Sequence, residues 1–209
     1  MKLYDCQMAP NPRRARIFLA EKGIECPKQE INIMEGENLK EDYLKVNPFG
    51  LLPALELDDG TVIAEAPAIF SYVEANHPEP NLLGNSPLET AQIMIWERFA
   101  ESQGMGAVGE HFRNKMEPFA ERAMPGMTDL KTIPELVERG AKRTAWFYEQ
   151  IEKRLGESEY LGSDRFTAAD ITAWCTIDFA NAVGLVTPDH CGNIKRWHET
   201  LQKRPSASA

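Results

Sequence analysis

Strand signals in this chain stop at a proline-rich junction, and everything beyond it reads as helix. Up to residue 77, short strand and helix patterns alternate. Pro78-Glu79-Pro80 and Ser86-Pro87 then bracket a linker. After it, apolar residues recur at three- and four-residue steps, as Ile93, Trp96, Phe99 and Ala100 do. Such a switch leaves few architectures: a small α/β layer structure joined to a separate all-helical domain. The boundaries read as a first domain over residues 1–78, a linker over 79–87 and a helical domain over 88–209.

Within the first part, Lys2 to Cys6 is a strand, and Asn11-Pro12 opens a helix with Asn11 as its N-cap and Gly23 as its stop. Lys28 to Ile33 alternates as a second strand. Asn38 to Val46 is a short helix or irregular turn, and Asn47-Pro48-Phe49-Gly50 is a turn cluster. Pro53 to Leu57 and Thr61 to Ala64 flank Asp58-Asp59-Gly60 as a β-hairpin, and Glu65-Ala66-Pro67 starts a helix that runs to about His77. The order β-α-β-α-β-β-α predicts one sheet, parallel in its first pair and antiparallel in its last. In the second part, Leu88 to Met116 is helical, but Gly104, Gly106 and Gly109 each weaken it. They predict a bend or a close helix approach around Met105. Pro118 to Pro134 is rich in breakers, Glu135 to Leu155 is a long helix, and Asn193 to Lys203 is the last. Thr167-Ala168-Ala169-Asp170 resembles a capping box with Asp in place of the usual Glu or Gln, opening a helix towards Gly184.

Charge narrows the partners. The chain of 209 residues carries a net charge of −9, and its most basic stretch, Arg13-Arg14-Ala15-Arg16, is one helical turn. No nucleic acid and no anionic membrane is expected to bind it. No apolar run approaches the roughly 20 residues that span a bilayer, and the N-terminus has no signal-peptide core. Cys6, Cys26, Cys175 and Cys191 lie far apart, which suits reduced thiols and a cytoplasmic location. The four histidines show no ligand spacing with Cys, Asp or Glu, so no metal is expected.

Three features can carry chemistry, and each has two readings. Pro53 opens a strand after a turn. It is either an ordinary edge proline or a cis bond that turns the Leu52 backbone outward to pair with an extended, peptide-like ligand. Glu65-Ala66 stands at a helix start. It either favours the helix electrostatically, or receives an α-amino acid head group, the carboxylate on free N–H groups and the ammonium on Glu65. Asn11 follows the loop Met8-Ala9-Pro10. It caps the helix, donates a hydrogen bond to a sulfur held there, or does both through the two ends of its amide.

Taken in order, Lys2-Leu3-Tyr4, Pro10 to Ile17, Leu19 to Ile24, Asn47 to Leu55, Ile63-Ala64-Glu65-Ala66 and Phe166 to Asp170 resemble the cytosolic glutathione S-transferases. Among these, the chain is most similar to bacterial members like the phi, theta and nu classes. The resemblance covers nearly the whole chain. It implies a thioredoxin-like N-terminal domain, an all-helical C-terminal domain, glutathione as co-substrate with no metal, a small apolar electrophile, and a homodimer. By resemblance, Asn38, Leu52, Pro53, Glu65 and Ala66 hold glutathione, and Asn11 supports its thiolate. Met8, Met105, Phe112 and Met116 are the expected second-substrate pocket, where methionines adapt to varied apolar ligands.

The chain also departs from the family pattern. Ala9 stands where a thiolate-binding Ser is common, Leu51 where Gln is common, Ala66 where Ser is common, and the uncharged Asn38 where His or another polar residue is common. Each missing neutral hydrogen bond is worth about 0.5–1.5 kcal/mol. Two functions follow as expectations. One is a transferase that conjugates glutathione to apolar electrophiles or reduces disulfides. The other is a non-catalytic ligand-binding or protein-interaction protein on the same fold, with weakened glutathione binding.

Overall fold

The computed structural model describes residues 1–209. Strands β1 (Lys2–Asp5), β2 (Lys28–Glu30), β3 (Ala54–Glu56) and β4 (Val62–Ala64) form one sheet in the order β2-β1-β3-β4. β1 pairs with β2 in parallel, and the β1–β3 and β3–β4 pairs are antiparallel, as the element order requires. Side chains alternate across the sheet. Leu3 and Leu55 enter the main apolar core, while Tyr4 and Ala54 face a second cluster with Ile31 and Tyr43. Helices α1 (Pro10–Glu21) and α3 (Ala66–Asn76) cover the first face, where Phe18 and Phe70 stack at 4.3 Å. The short α2 (Glu41–Leu44) brings Tyr43 to the second.

All remaining elements are helical: α4 (Pro87–Phe99), α5 (Gly106–Lys115), α6 (Pro134–Glu157), α7 (Ala168–Ala182) and α8 (Gly192–Leu201). The protein is thus a thioredoxin-like α/β unit followed by an all-helical one. A single apolar cluster of 33 buried residues runs through both, from Leu3 and Phe18 to Trp174 and Leu201.

The glycine-interrupted region behaves as its composition predicts. α4 and α5 are joined through a π-helical turn over Ala100–Met105. There Gly104 lies so close to α6 and α7 that a Cβ would sit 2.7 Å from the Phe147 ring and 2.8 Å from the Thr176 methyl. Gly140 of α6 is packed as tightly, its absent Cβ 2.6 Å from the backbone nitrogen of His111.

Three local expectations change. α1 begins at Pro10, so Ala9 occupies the cap position and Asn11 lies within the first turn. A proline fits the first helical position because its missing N–H has no acceptor there anyway. β2 ends at Glu30 instead of Ile33, because the Asn32 side chain accepts from the N–H groups of Met34 and Glu35 and turns the chain. The last helix starts one residue earlier than expected, at Gly192, and stops at Leu201 instead of Lys203.

Candidate active site

The register of the sheet brings three chain segments to one end. Ala54 pairs with Tyr4 on one side and Ala64 on the other. The chain leaving β1 towards α1, the Leu52-Pro53 entry to β3 and the Glu65-Ala66 exit from β4 therefore meet at the same end of the sheet. The segments that carry Asn11, Leu52, Pro53, Glu65 and Ala66, proposed from separate stretches of sequence, thus adjoin one end of the sheet.

The entry to β3 is pinned from behind. Leu52-Pro53 is a cis peptide bond. The Tyr43 hydroxyl and the Asn47 amide donate to the Leu51 carbonyl at 2.6 and 2.8 Å, drawing it into the protein. Neither the N–H nor the C=O of Leu52 bonds to another group of the chain. A buried backbone group seldom lacks a partner, so half-buried Leu52 offers one donor and one acceptor to an extended ligand. Asn38 is used differently from the expectation. It is buried, and its amide donates to the Gly50 carbonyl at 2.7 Å, closing the turn instead of facing a carboxylate. Packing explains the reversal: Gly50, at φ 63°, leaves its would-be Cβ only 3.1 Å from the Asn38 carbonyl, so the two stretches are in contact.

At the start of α3, Glu65 has φ 75°, a left-handed value that costs a non-glycine residue about 1–3 kcal/mol. Its carboxylate is exposed and does not cap its own helix. Pro67 has no N–H, so the Ala66 and Ala68 amides are the free donors of this first turn. A carboxylate acceptor for an ammonium thus stands beside donors for a carboxylate.

The start of α1 carries no side-chain cap. Pro10 and Pro12 lack N–H groups, so the Asn11 N–H is the one backbone donor among the first three helical residues. The Asn11 side-chain oxygen accepts from Arg14 Nη1 at 2.8 Å. Since a guanidinium only donates, the oxygen must face it, and the amide NH2 is left to point elsewhere. Cys6, also at this end, is buried, and burial pushes its thiol up, opposite to the shift that arms a redox thiol.

The apolar pocket residues divide. Met8 is 87% exposed and Met116 37% exposed. Phe112 lies edge-on to Phe119 and Phe179 at 5.4 Å each. Met105 is 6% exposed and belongs to the main core. The segment after α5 crosses back to the first domain: Arg122 donates to the Ile33 carbonyl at 2.7 Å and to that of Met34, and Gly126 packs directly on the Phe49 carbonyl.

Sequence reading missed the ionic cluster beneath α1. Arg14 is 1% exposed and reaches Glu97 at 2.5 Å, Glu101 at 3.0 Å and the Thr172 hydroxyl at 3.0 Å. Burial pushes Glu97 up despite the guanidinium. Burial acts on Glu101 too, but Arg14 and Arg98 outweigh it and hold that carboxyl below its usual range. The available signal was the Arg-Arg-Ala-Arg turn itself, since three cations on a helix packed on both sides need buried acids. Sequence spacing also hid a grouping of Glu149, His190 and Cys191, whose ligand atoms lie within 4.8 Å of one another. There His190 is hydrogen-bonded to Glu149 at 2.8 Å, and burial pushes the Cys191 thiol up to about 11.

Two family models match the chain: Glutathione S-transferase, N-terminal domain, over residues 9–76, and Glutathione S-transferase, C-terminal domain, over residues 115–205. Glutathione S-transferase 2 of Saccharomyces cerevisiae is 35% identical, over 99% of this chain and 87% of the yeast protein. The crystal structure of Gtt2 from Saccharomyces cerevisiae superposes with a TM-score of 0.92 at 33% identity, covering 100% of this chain and 99% of that one. A glutathione S-transferase domain-containing protein from Marinobacter aquaeolei VT8 superposes with a TM-score of 0.90 at 35% identity, covering 99% of both chains.

Proposed function

We propose, for a chain that belongs to the glutathione S-transferase family, that the end of the sheet at Ala54 binds and activates glutathione. The protein is a glutathione transferase. In our reading it adds the glutathione sulfur to small apolar electrophiles or uses it to reduce a mixed disulfide. Leu52 pairs its backbone with the cysteinyl unit, with Pro53 setting the entry. Glu65 takes the ammonium and the Ala66 N–H the carboxylate of the γ-glutamyl group. Asn11 donates to the thiolate from its side chain, its backbone N–H or both. Catalysis then comes from lowering the thiol pKa and holding two reactants together.

One observation carries this reading: Arg14 holds the Asn11 oxygen, so the amide that faces the sulfur is a donor although Ala9 has no hydroxyl. The thiolate contact thus has a substitute for the missing serine. In this reading Met8, Phe112 and Met116 face the electrophile, while Met105, 6% exposed, belongs to the core. Residues 1–78 would be the glutathione-binding domain, 79–87 the linker and 88–209 the helical domain. Leu88 and Ile95, two helical turns apart on α4, are 69% and 64% exposed, and Phe49 is 69% exposed. Apolar surface of this kind supports a homodimer, which sedimentation would reveal. No helix is long and apolar enough to cross a membrane, and all four cysteines are free thiols, which supports a reducing cytoplasm.

Calorimetric titration with glutathione followed by a thiol-conjugation assay tests the reading. Binding and turnover are expected in the wild type, with turnover reduced in Asn11→Ala. No heat and no turnover would overturn it. Binding without turnover would leave a ligand-binding protein on a transferase fold.

A further inference from the structure

The Arg14 cluster does more than fill a gap between the sheet and the helices. Its guanidinium distributes donors to four residues on four elements. Nη1 goes to Asn11 of α1, Nε to Thr172 of α7, and Nη2 to both Glu97 of α4 and Glu101 of the π-turn. Three of those partners come from the helical domain, and they fix the guanidinium plane. The fourth, Asn11, lies three residues away on the same helix face.

Asn11 is half-buried, and nothing else holds its side chain. An unheld amide can turn over, and its two orientations present opposite partners to a sulfur: two N–H donors in one, a carbonyl oxygen in the other. Only the first stabilises a thiolate. Arg14 selects it, because a guanidinium cannot accept a hydrogen bond. We propose that Arg14 is a positioning residue whose guanidinium, anchored by Glu97, Glu101 and Thr172, points the Asn11 amide donors at the glutathione sulfur. This rests on the reading of Asn11 as the thiolate donor. Glu97 and Glu101 share the Nη2 end, and Arg98 binds the other oxygen of Glu101 at 2.8 Å. The cluster is therefore close to charge-balanced, and the effect of Arg14 on the sulfur runs through the amide it holds.

Replacing Arg14 by lysine keeps the charge and loses the fork. One ammonium cannot reach Asn11, Thr172 and both carboxylates in the same geometry. The measurement is the ultraviolet thiolate absorbance of enzyme-bound glutathione against pH, with kcat and the KM for glutathione measured at a fixed concentration of a generic aryl halide electrophile. In Arg14→Lys the thiolate midpoint is expected to rise by about one pH unit, equivalent to roughly tenfold in thiolate fraction. kcat should fall about as far near neutrality, while KM for glutathione moves by less than about threefold, because the contacts at Leu52 and Glu65 are untouched. Thr172→Val, which removes one anchor and leaves all charges in place, should give a smaller shift in the same direction, and it serves if Arg14→Lys does not fold. Asn11→Ala and the double variant complete a cycle. In the Asn11→Ala background, Arg14→Lys or Thr172→Val should add almost nothing. Shifts that simply add would mean that Arg14 acts by another route and would overturn the inference alone. A shift in Asn11→Ala with none in Arg14→Lys and Thr172→Val would do the same. No shift in any variant would overturn both the inference and the assigned role of Asn11.

Discussion

Two helices in this protein start in opposite ways. α7 begins inside the core, and its first turn is sealed. Asp170 Oδ2 accepts from the Thr167 N–H and hydroxyl at 3.0 and 3.1 Å, while Oδ1 accepts from the Leu161 N–H at 3.0 Å and the Trp197 indole at 3.1 Å. Thr167 and Asp170 are both fully buried. α1 begins at the end of the sheet with Ala9 in the cap position and two prolines in its first three residues. One start spends its polar side chains on the protein, and the other leaves a donor for something that is not protein. Helix starts favour anions in either case. Whether a given start is structural or functional depends on whether the chain supplies the anion itself.

The sharpest way to break this contrast is to unseal α7. Asp170→Ala leaves four donors without an acceptor in a buried place and is expected to cost about 3–5 kcal/mol in chemical denaturation. A loss below about 1 kcal/mol would mean that the cap is not structural. At the open start the order should invert. Asn11→Ala, which strips one acceptor from the buried Arg14, should cost about 1–2 kcal/mol of stability, less than Asp170→Ala, but lower kcat by roughly ten- to a hundredfold, the range of one lost charge-assisted hydrogen bond. At the neighbouring start of α3, Glu65→Gln should weaken glutathione binding by about tenfold in calorimetry with little effect on kcat. Equal losses in kcat and binding would put Glu65 closer to the reacting sulfur than its position suggests.

The smallest effect is in pH. Burial raises Asp170 to about 6, against an ordinary value of 3.8. The folded state therefore holds that proton more tightly than the unfolded state. Its contribution to stability is fully present below pH 3.8 and is lost as pH rises through about 6. Asp178 runs the other way: burial raises it, but hydrogen bonds from His198 and Arg13 outweigh burial and hold it low. The difference between wild type and Asp170→Asn isolates the first group. The stability advantage of the wild type should shrink between these two pH values and be flat above them. A difference that grows with pH would reverse the assigned direction.

Much of this was legible from sequence because it depends on neighbours in the chain. The alternation of Leu3 and Tyr4, the hairpin at Asp58-Asp59-Gly60 and the Thr167–Asp170 cap are local patterns, and each lies where its spacing puts it. Chain-local patterns also have limits. Asn11 looked like a cap because Asn-Pro is a common helix opening, yet Pro10 opens the helix one residue earlier. Asn38 is assigned to the ligand by resemblance alone, yet its amide donates to the Gly50 carbonyl. The three partners of Arg14 in the helical domain lie 83, 87 and 158 residues away, and no periodicity along the chain reports contacts of that span.

The π-turn at Ala100–Met105 has a consequence for how this chain can change. In register, a π-turn is an α-helix carrying one residue too many. Deleting one residue there would restore regular hydrogen bonding and still damage the protein. Each residue turns an α-helix by about 100°, so everything on one side of the deletion would rotate by that amount against the other. Either Glu97 would swing away from Arg14, or the face around Ala107 and His111 would swing away from Gly140. The extra residue lets one continuous rod present unrelated faces to two neighbours, so a family alignment should hold the length of this turn as firmly as it holds the tightly packed Gly104.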